Sequence, residues 1–99
     1  MGQRQDLHQI LEAITENVYF QPPSNMQMKY PCIVYARDYA ETKFADNHPY
    51  SHTLRYMVTV IDRDADSELP EKVAALPMCL FNRFFAADNL NHNVYSVYF

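Results

Sequence analysis

The chain has 99 residues, of which 48% are apolar, so it is long enough for one domain with a modest core and too apolar for a disordered segment. Its formal net charge is −4 and its eight basic residues are scattered singly, which excludes the clustered Lys and Arg that nonspecific nucleic-acid binding requires. No apolar run approaches the ~20 residues of a membrane helix. The polar N-terminus does not have the pattern of a signal peptide, and two cysteines do not form a disulfide framework. We therefore expect a protein of the reducing cytoplasm.

The first predicted element is an amphipathic helix near the N-terminus. Asp6 is a suitable N-cap, and Asn17 is a suitable C-terminal residue in a chain without interior glycine. Between them the apolar residues fall at helical spacing and form one stripe: Leu7, Ile10, Leu11 and Ile14. Residues 1–5 before it are predicted to be disordered.

The segment "ENVYFQPP", residues 16–23, resembles a protease recognition site left from an expression tag. On that interpretation the protein would begin near Pro22. The alternative is that the segment belongs to the domain, because an amphipathic helix precedes it and a proline after Gln21 blocks most proteases. We favour the second interpretation, which predicts that Tyr19 and Phe20 pack beside a sheet and that the diproline directs the chain towards Tyr30.

Two strands are predicted in the middle of the chain. The segment 30–37 is rich in Ile, Val and Tyr, with Ile33 and Tyr35 on one face and Cys32 and Val34 on the other. The segment 51–62 alternates cleanly, and its apolar face comprises Leu54, Tyr56, Val58 and Val60. Such alternation indicates an antiparallel sheet with one face on the core. The polar segment 38–49 between them is predicted to be a long hairpin loop or arm.

The last third of the chain predicts a short helix and further strands. Asp66 or Ser67 caps the helix, Pro70 lies in its first turn and Pro77 ends it. A strand is predicted over 79–87, and a closing strand over 94–99 follows the turn residues 88–93. Because the one glycine is Gly2, the connections are expected to be longer than two-residue hairpins.

These elements predict the α+β class for a single domain over 1–99. The predicted architecture is an antiparallel β-sheet with a long hairpin, packed against an N-terminal helix and a second short helix.

The spacing Asp62-x-Asp64-x-Asp66 resembles the first three ligand positions of a calcium loop. The resemblance ends at Ser67, where the loop requires glycine, and at Val73, where it requires a bidentate glutamate. The run is better explained as a strand end that leads into a capped helix, so no metal is predicted there.

No other pattern in the sequence indicates catalysis or a cofactor. His48 and His52 have a spacing that binds zinc on a helix, but Pro49 between them precludes a helix. Cys32 and Cys79 have the apolar neighbours of small core residues. A glycine-rich phosphate loop is impossible without glycine. We expect no enzyme, no metal and no cofactor.

Eight tyrosines and six phenylalanines are more aromatic side chains than a 99-residue core easily encloses. Some of them are therefore expected at the surface, where aromatic residues anchor partner proteins. Tyr39 and Tyr50 flank the predicted arm and are candidates for such contacts. The aromatic excess favours a subunit of an assembly.

The segments "NVYFQPP", "MKYPCIVYARD", "RYMVTVIDRDADSELPEKVAALP" and "FAADNLNHNVYSVYF" together resemble the small tail-completion proteins, or tail terminators, of tailed bacteriophages. The resemblance covers about residues 7–99 and rests on the joint pattern, since no single piece is specific.

The resemblance implies a structural virion protein, assembled in the bacterial cytoplasm, that forms a ring, usually a hexamer, at the head–tail junction. Such a ring caps the head-proximal end of the tail tube and docks the head connector, and DNA passes through its channel without specific binding. An acidic lumen suits that role. The carboxylates of Asp62, Asp64 and Asp66 would face the lumen or pair with Arg55 or Arg63 of a neighbouring subunit.

Two alternatives remain open at this point. Head-side connector or stopper proteins have similar sizes, and a stand-alone small protein-binding module could also use an aromatic sheet face.

Overall fold

The computed structural model describes residues 4–23, 25–45, 48–64 and 66–99, with the backbone alone for 39–45 and 48–53. The fold is α+β, a five-stranded mixed sheet with two helices. None of the helices in these ranges is long and apolar enough to cross a membrane. In chain order the elements are α1 (Arg4–Glu12), β1 (Val18–Phe20), β2 (Cys32–Ala45), β3 (His48–Asp62), α2 (Leu69–Ala74), β4 (Cys79–Ala87) and β5 (Leu90–Tyr98).

The strand order across the sheet is β1-β2-β3-β5-β4. All neighbouring pairs are antiparallel except β1 and β2, which run parallel, with Val18 opposite Ile33 and Phe20 opposite Tyr35. The predicted purely antiparallel sheet is therefore wrong at this edge. The segment after Phe20 carries the chain back to the start of β2, so that the two strands enter the sheet in the same direction. The sequence "VYF" is an edge strand as well as a packing segment.

The strands β2 and β3 extend into the segment predicted as a loop over 38–49. The first continues to Ala45 and the second begins at His48, and the two pair along this length with register shifts near Arg37 and Lys43.

The connection between β4 and β5 corrects a prediction. It consists of two residues, Asp88 and Asn89, with φ angles of 53° and 61°. We expected longer connections for want of glycine, and that expectation is wrong here. Asp and Asn enter the left-handed region more readily than other residues with a Cβ, so an Asp-Asn pair supplies a two-residue hairpin turn without glycine. Accordingly β5 begins at Leu90, four residues before the predicted start.

The core lies between one face of the sheet and the two helices. Leu7 and Leu11 of α1 and Val73 of α2 are completely buried against the sheet. Ile10, which the predicted apolar stripe included, is 38% exposed. We call the sheet face under the helices the core face, and its buried residues are Ile33, Tyr35, Tyr56, Val58, Val60, Tyr95 and Val97.

Tyr35 joins three elements within this core. Its hydroxyl lies 2.6 Å from Nδ1 of His8 on α1. Its ring centroid is 4.9 Å from that of Phe20 on β1 and 6.1 Å from that of Tyr56 on β3. Arg4 donates to the same hydroxyl at 3.2 Å and lies over the Phe20 ring. Tyr35 thus contacts both elements of the N-terminal segment, in addition to the burial of Leu7 and Leu11 and the pairing of β1 with β2.

The second helix is shorter than predicted. It begins at Leu69 and ends at Ala74, with Pro70 in its first turn as expected. Glu68 occupies the N-cap position without a side-chain capping bond, and the Ser67 hydroxyl accepts a hydrogen bond from the Leu69 N–H at 3.2 Å. This bond satisfies one of the unpaired donors at the start of the helix.

Candidate functional site

Among the side chains that the structure describes, those of β4 are the most exposed in the sheet. This strand forms one edge, and every residue from Leu80 to Ala87 is exposed. Its large apolar side chains are Leu80, Phe81, Phe84 and Phe85, which are 61%, 60%, 53% and 40% exposed. Met78, just before the strand, is 68% exposed. An exposed apolar strand at a sheet edge is a template for pairing with another chain.

Both faces of β4 carry apolar residues. Phe81 lies opposite Tyr95 on the core face, and its ring makes an edge contact with the tyrosine at 5.6 Å between centroids. Phe85 lies on the other face and stacks on His92 at 4.5 Å. Both rings nevertheless stay 60% and 40% exposed, because no strand of the described residues lies beyond this edge.

A bulge interrupts the middle of β4. Phe81 pairs with Tyr95 and Arg83 pairs with the next residue of β5, Val94, so Asn82 is the extra residue. The Asn82 amide donates to the Ser96 hydroxyl at 3.4 Å. Because Ser96 is on the face away from the helices, Asn82 lies on that face, as Arg83 does.

The sheet face away from the helices, which we call the open face, is also partly apolar. Val34 and Met57 are half-buried there, and Val94 is buried. Both described helices bury their apolar residues on the core face. Cys32, Ile61 and Val94 on this face are buried, so Val34 and Met57 add only a small apolar area to that of β4.

The three aspartates that sequence analysis singled out form consecutive turns. Asp62 is 8% exposed, and its Oδ1 accepts the backbone N–H of Asp64 at 2.9 Å. Oδ1 of Asp64 accepts the N–H of Asp66 at the same distance. Such side-chain-to-backbone bonds stabilise a turn. In the part of the chain that the structure describes, no group of three or more His, Cys, Asp or Glu side chains could hold a metal ion.

Two of the predicted contact residues, Arg55 and Arg63, have partners within the chain. Arg55 binds Asp38 of its own chain, with 2.9 Å between Nη2 and Oδ1. Arg63 lies over the ring of Tyr30, at 5.8 Å from its centroid. Tyr39 and Tyr50 belong to β2 and β3, and their side chains lie outside the described residues. The intrachain ion pair accounts for Arg55 without a neighbouring subunit.

Both cysteines are free thiols. Cys32 is completely buried at the start of β2. Burial, together with the negative charge of Asp62, raises the pKa of its thiol from 9.0 to about 11. Burial also raises the pKa of Cys79. Because thiolates are the nucleophilic form, neither cysteine is activated for nucleophilic chemistry.

The buried Cys32 thiol predicts a loss of stability at alkaline pH. The unfolded chain releases this proton near pH 9.0 and the folded chain near pH 11. The contribution is therefore fully present below pH 9 and is lost as the pH rises through 11, by about 3 kcal/mol for two pKa units. Denaturant unfolding between pH 8 and 11 measures this fall, which Cys32→Ala should reduce relative to the native chain and to Cys79→Ala. Equal pH slopes in all three proteins would contradict it.

The aromatic excess predicts aromatic residues at the surface, and the exposure of the β4 phenylalanines confirms this. The named candidates were Tyr39 and Tyr50, whose side chains lie outside the described residues, while Tyr35, Tyr56 and Tyr95 are buried. A signal was present in "LFNRFF", residues 80–85, where apolar residues occupy both parities of a strand. That pattern is typical of a strand buried on both faces, so only its position at the edge reveals an exposed surface.

Comparison with known proteins gave no relatives. No protein-family model matches the chain, and neither curated protein sequences nor solved structures include a significant match.

Proposed function

We propose that the protein is a structural subunit of a phage virion, a tail terminator or tail-completion ring component at the head–tail junction. In this role the chain associates with copies of itself, usually six, and with the major tail tube protein and the head connector. Its carboxylates would line a channel through which DNA passes. The proposal includes no enzymatic activity and no cofactor.

The observation that carries the proposal is the exposed apolar edge of the sheet. Phe81, Phe84 and Phe85 are 40–60% exposed on a strand whose outer edge has no partner strand in the described chain. Taking about 200 Å² for each side chain, the three rings alone present about 300 Å² of apolar surface. With Met78 and Leu80 the patch exceeds what scattered surface residues provide and falls in the range that marks interaction sites.

Two further features fit an assembly subunit. The paired strands β2 and β3 contain 14 and 15 residues, which at ~3.3 Å per residue extend about 45 Å. We propose that the end of this hairpin is the arm that contacts a neighbouring protein. The net charge of −4 suits a lumen along which DNA slides without binding.

The two alternative functions, a head-side connector or stopper and a stand-alone binding module, would use the same exposed edge of β4. A head-side connector or stopper would use it between head proteins, and a stand-alone binding module would use β4 to take up an extended segment of another protein as an added strand. The alternatives differ from the terminator in what happens when tail tubes are present.

The test mixes the purified chain with the major tail tube protein of the same phage. We expect rings on one end of each tube in electron micrographs, and tubes whose growth stops after the chain is added. Mass measurement of the chain with and without tubes gives the number of subunits. Phe84→Lys, which places a charge on the β4 edge, should weaken capping, whereas Ile10→Lys on α1 is the matched control and should not.

A chain that leaves tube length unchanged and is absent from tube ends would overturn the terminator role. Binding to head connectors without binding to tubes would favour the stopper. Failure to bind either would leave the stand-alone module as the better description.

A further inference from the structure

We infer that β4 pairs in antiparallel orientation with β4 of a second copy, around a two-fold axis that passes between Asn82 and Arg83. The inference rests on the proposed function only in that both make the chain an assembly subunit. It specifies the partner of the exposed edge, the register and the residues that meet across it.

Because of the bulge, residues at equal distances before and after the midpoint between Asn82 and Arg83 lie on the same face of the sheet. Before it, Cys79 and Phe81 lie on the core face; after it, Phe84 and Ala86 do. Their β5 partners establish this, since all four belong to the core face: Val97, Tyr95, Asn93 and Asn91. Four residues of the open face are also symmetric about the midpoint: Leu80 and Asn82 before it, Arg83 and Phe85 after it.

This symmetry allows a second copy to pair without a mismatch of faces. Residues opposite one another in a sheet must lie on the same face. With the axis at the midpoint, Phe81 lies opposite the partner's Phe84 on the core face, and Leu80 lies opposite the partner's Phe85 on the open face. Each contact occurs twice. Apolar and aromatic cross-strand pairs are among the most stabilising in sheets.

The free backbone groups have the same symmetry. The Tyr98 N–H donates to the Met78 carbonyl at 3.0 Å, which makes this a hydrogen-bonded pair. Because such pairs alternate along an antiparallel ladder, Leu80 also bonds to β5, and the N–H and C=O groups of Cys79 and Phe81 point outward.

Beyond the bulge the outward groups follow from the turn. The two-residue turn makes Ala87 and Leu90 the closing hydrogen-bonded pair, so the outward groups are those of Phe84 and Ala86. In the inferred register Phe81 then meets the partner's Phe84, and Cys79 meets the partner's Ala86, as hydrogen-bonded pairs. Four such pairs give about eight bonds between the chains.

The charge on the strand agrees with this register. Arg83 is the one charged residue of β4. An axis through Arg83 would place two arginines opposite each other, which destabilises a sheet. An axis between Asn82 and Arg83 instead places each guanidinium opposite the partner's Asn82, whose amide oxygen can accept its hydrogen bonds.

The same bulge disfavours other strands. Bulges usually protect an edge, because a regular strand cannot stay in register across them. A regular strand would match the faces of only one half of β4, whereas a second copy carries the same bulge at the same place. A stable interface buries about 800 Å² on each partner; the apolar patch supplies a large part of this, and the backbone and open-face residues near the axis supply more.

Sedimentation of the chain alone tests the pairing. We expect twice the single-chain mass of 11.6 kDa at tens of micromolar. Phe84→Lys should restore the single-chain mass, because it places two charges in the apolar pairs. Ile10→Lys is the matched control, since Ile10 is an exposed apolar residue on α1, and it should leave the dimer intact. A single-chain mass for the native protein at 100 micromolar, or a dimeric Phe84→Lys, would overturn the inference.

Cross-linking tests the register independently of that substitution. Hydrogen-bonded antiparallel pairs have Cα atoms about 5.5 Å apart, which is within the span of a disulfide. In Ala86→Cys, mild oxidation should therefore join the introduced thiol to the partner's Cys79 and give a covalent dimer that Cys79→Ala abolishes. Ala87→Cys, one residue later and on the other face, should not cross-link. Absence of the covalent dimer in Ala86→Cys would overturn the register.

The outcomes separate this inference from the proposed function. A dimer that ignores tail tubes would retain the pairing and refute the terminator role. A chain that is monomeric in solution and caps tubes would refute the pairing and retain the terminator role. A two-fold contact closes on itself, whereas a polar ring needs head-to-tail contacts, so the pair is the form that we infer for the free chain.

Discussion

Removal of residues 1–21 is expected to abolish the cooperative unfolding transition of the domain. The deletion takes away α1 and β1, with the buried Leu7 and Leu11, and exposes the Tyr35 ring that Phe20 and His8 cover. Burial of each leucine contributes about 1.5–3 kcal/mol to the free energy of unfolding. The loss of both therefore approaches the total free energy of unfolding of a typical domain, about 5–15 kcal/mol. Thermal unfolding followed by circular dichroism measures the effect.

A pair of adjacent substitutions in α1 provides the control. Leu11→Ala removes a completely buried side chain and should lower the free energy of unfolding by about 2–5 kcal/mol. Ile10→Ala alters a residue that is 38% exposed and should cost less than about 1 kcal/mol. If the shortened chain unfolds as cooperatively and at the same temperature as the native one, "ENVYFQ" is a tag remnant and the segment before it contributes nothing.

Substitution of Tyr35 should have the second-largest effect. Tyr35→Ala removes the ring between α1, β1 and β3 and should lower the free energy of unfolding by about 3–5 kcal/mol. Tyr35→Phe keeps the ring and removes the hydroxyl that contacts His8 and Arg4. That loss should be about 1 kcal/mol. Chemical denaturation of both variants measures the ring and the hydroxyl separately.

Two results would contradict the prediction for Tyr35. Equal losses in the two variants would mean that the hydrogen bonds, and not the ring contacts, attach the N-terminal segment. Small losses in both would mean that Leu7 and Leu11 hold α1 without Tyr35.

The inferred β4 pairing has a structural consequence beyond the dimer. It would join two five-stranded sheets into one continuous sheet and align the two open faces. The half-buried Val34 and Met57 of the two copies would then lie on the same side of the joined sheet. A ring would build on this pair or replace it with a head-to-tail contact.

The core could be predicted largely from the sequence. The alternation of Tyr56, Val58 and Val60 identified the buried face of β3, because side chains of a strand point to opposite faces with a period of two. The spacing of Leu7 and Leu11 likewise identified the buried side of α1. The bounds of β4 were predicted as they are observed, over 79–87. Local periodicity carries this information because each element buries one side.

Other features depend on which elements become neighbours, and only the tertiary structure decided them. The three residues of β1 show no strand period of their own and become a strand by pairing with β2. The Asp88-Asn89 turn required that β4 and β5 meet at adjacent positions. The clearest case is β4 itself: "LFNRFF" has the composition of a buried strand, and it lies exposed because the strand order places it at the edge. Periodicity determines which side of an element is apolar, but what covers that side is determined by contacts between residues far apart in the chain.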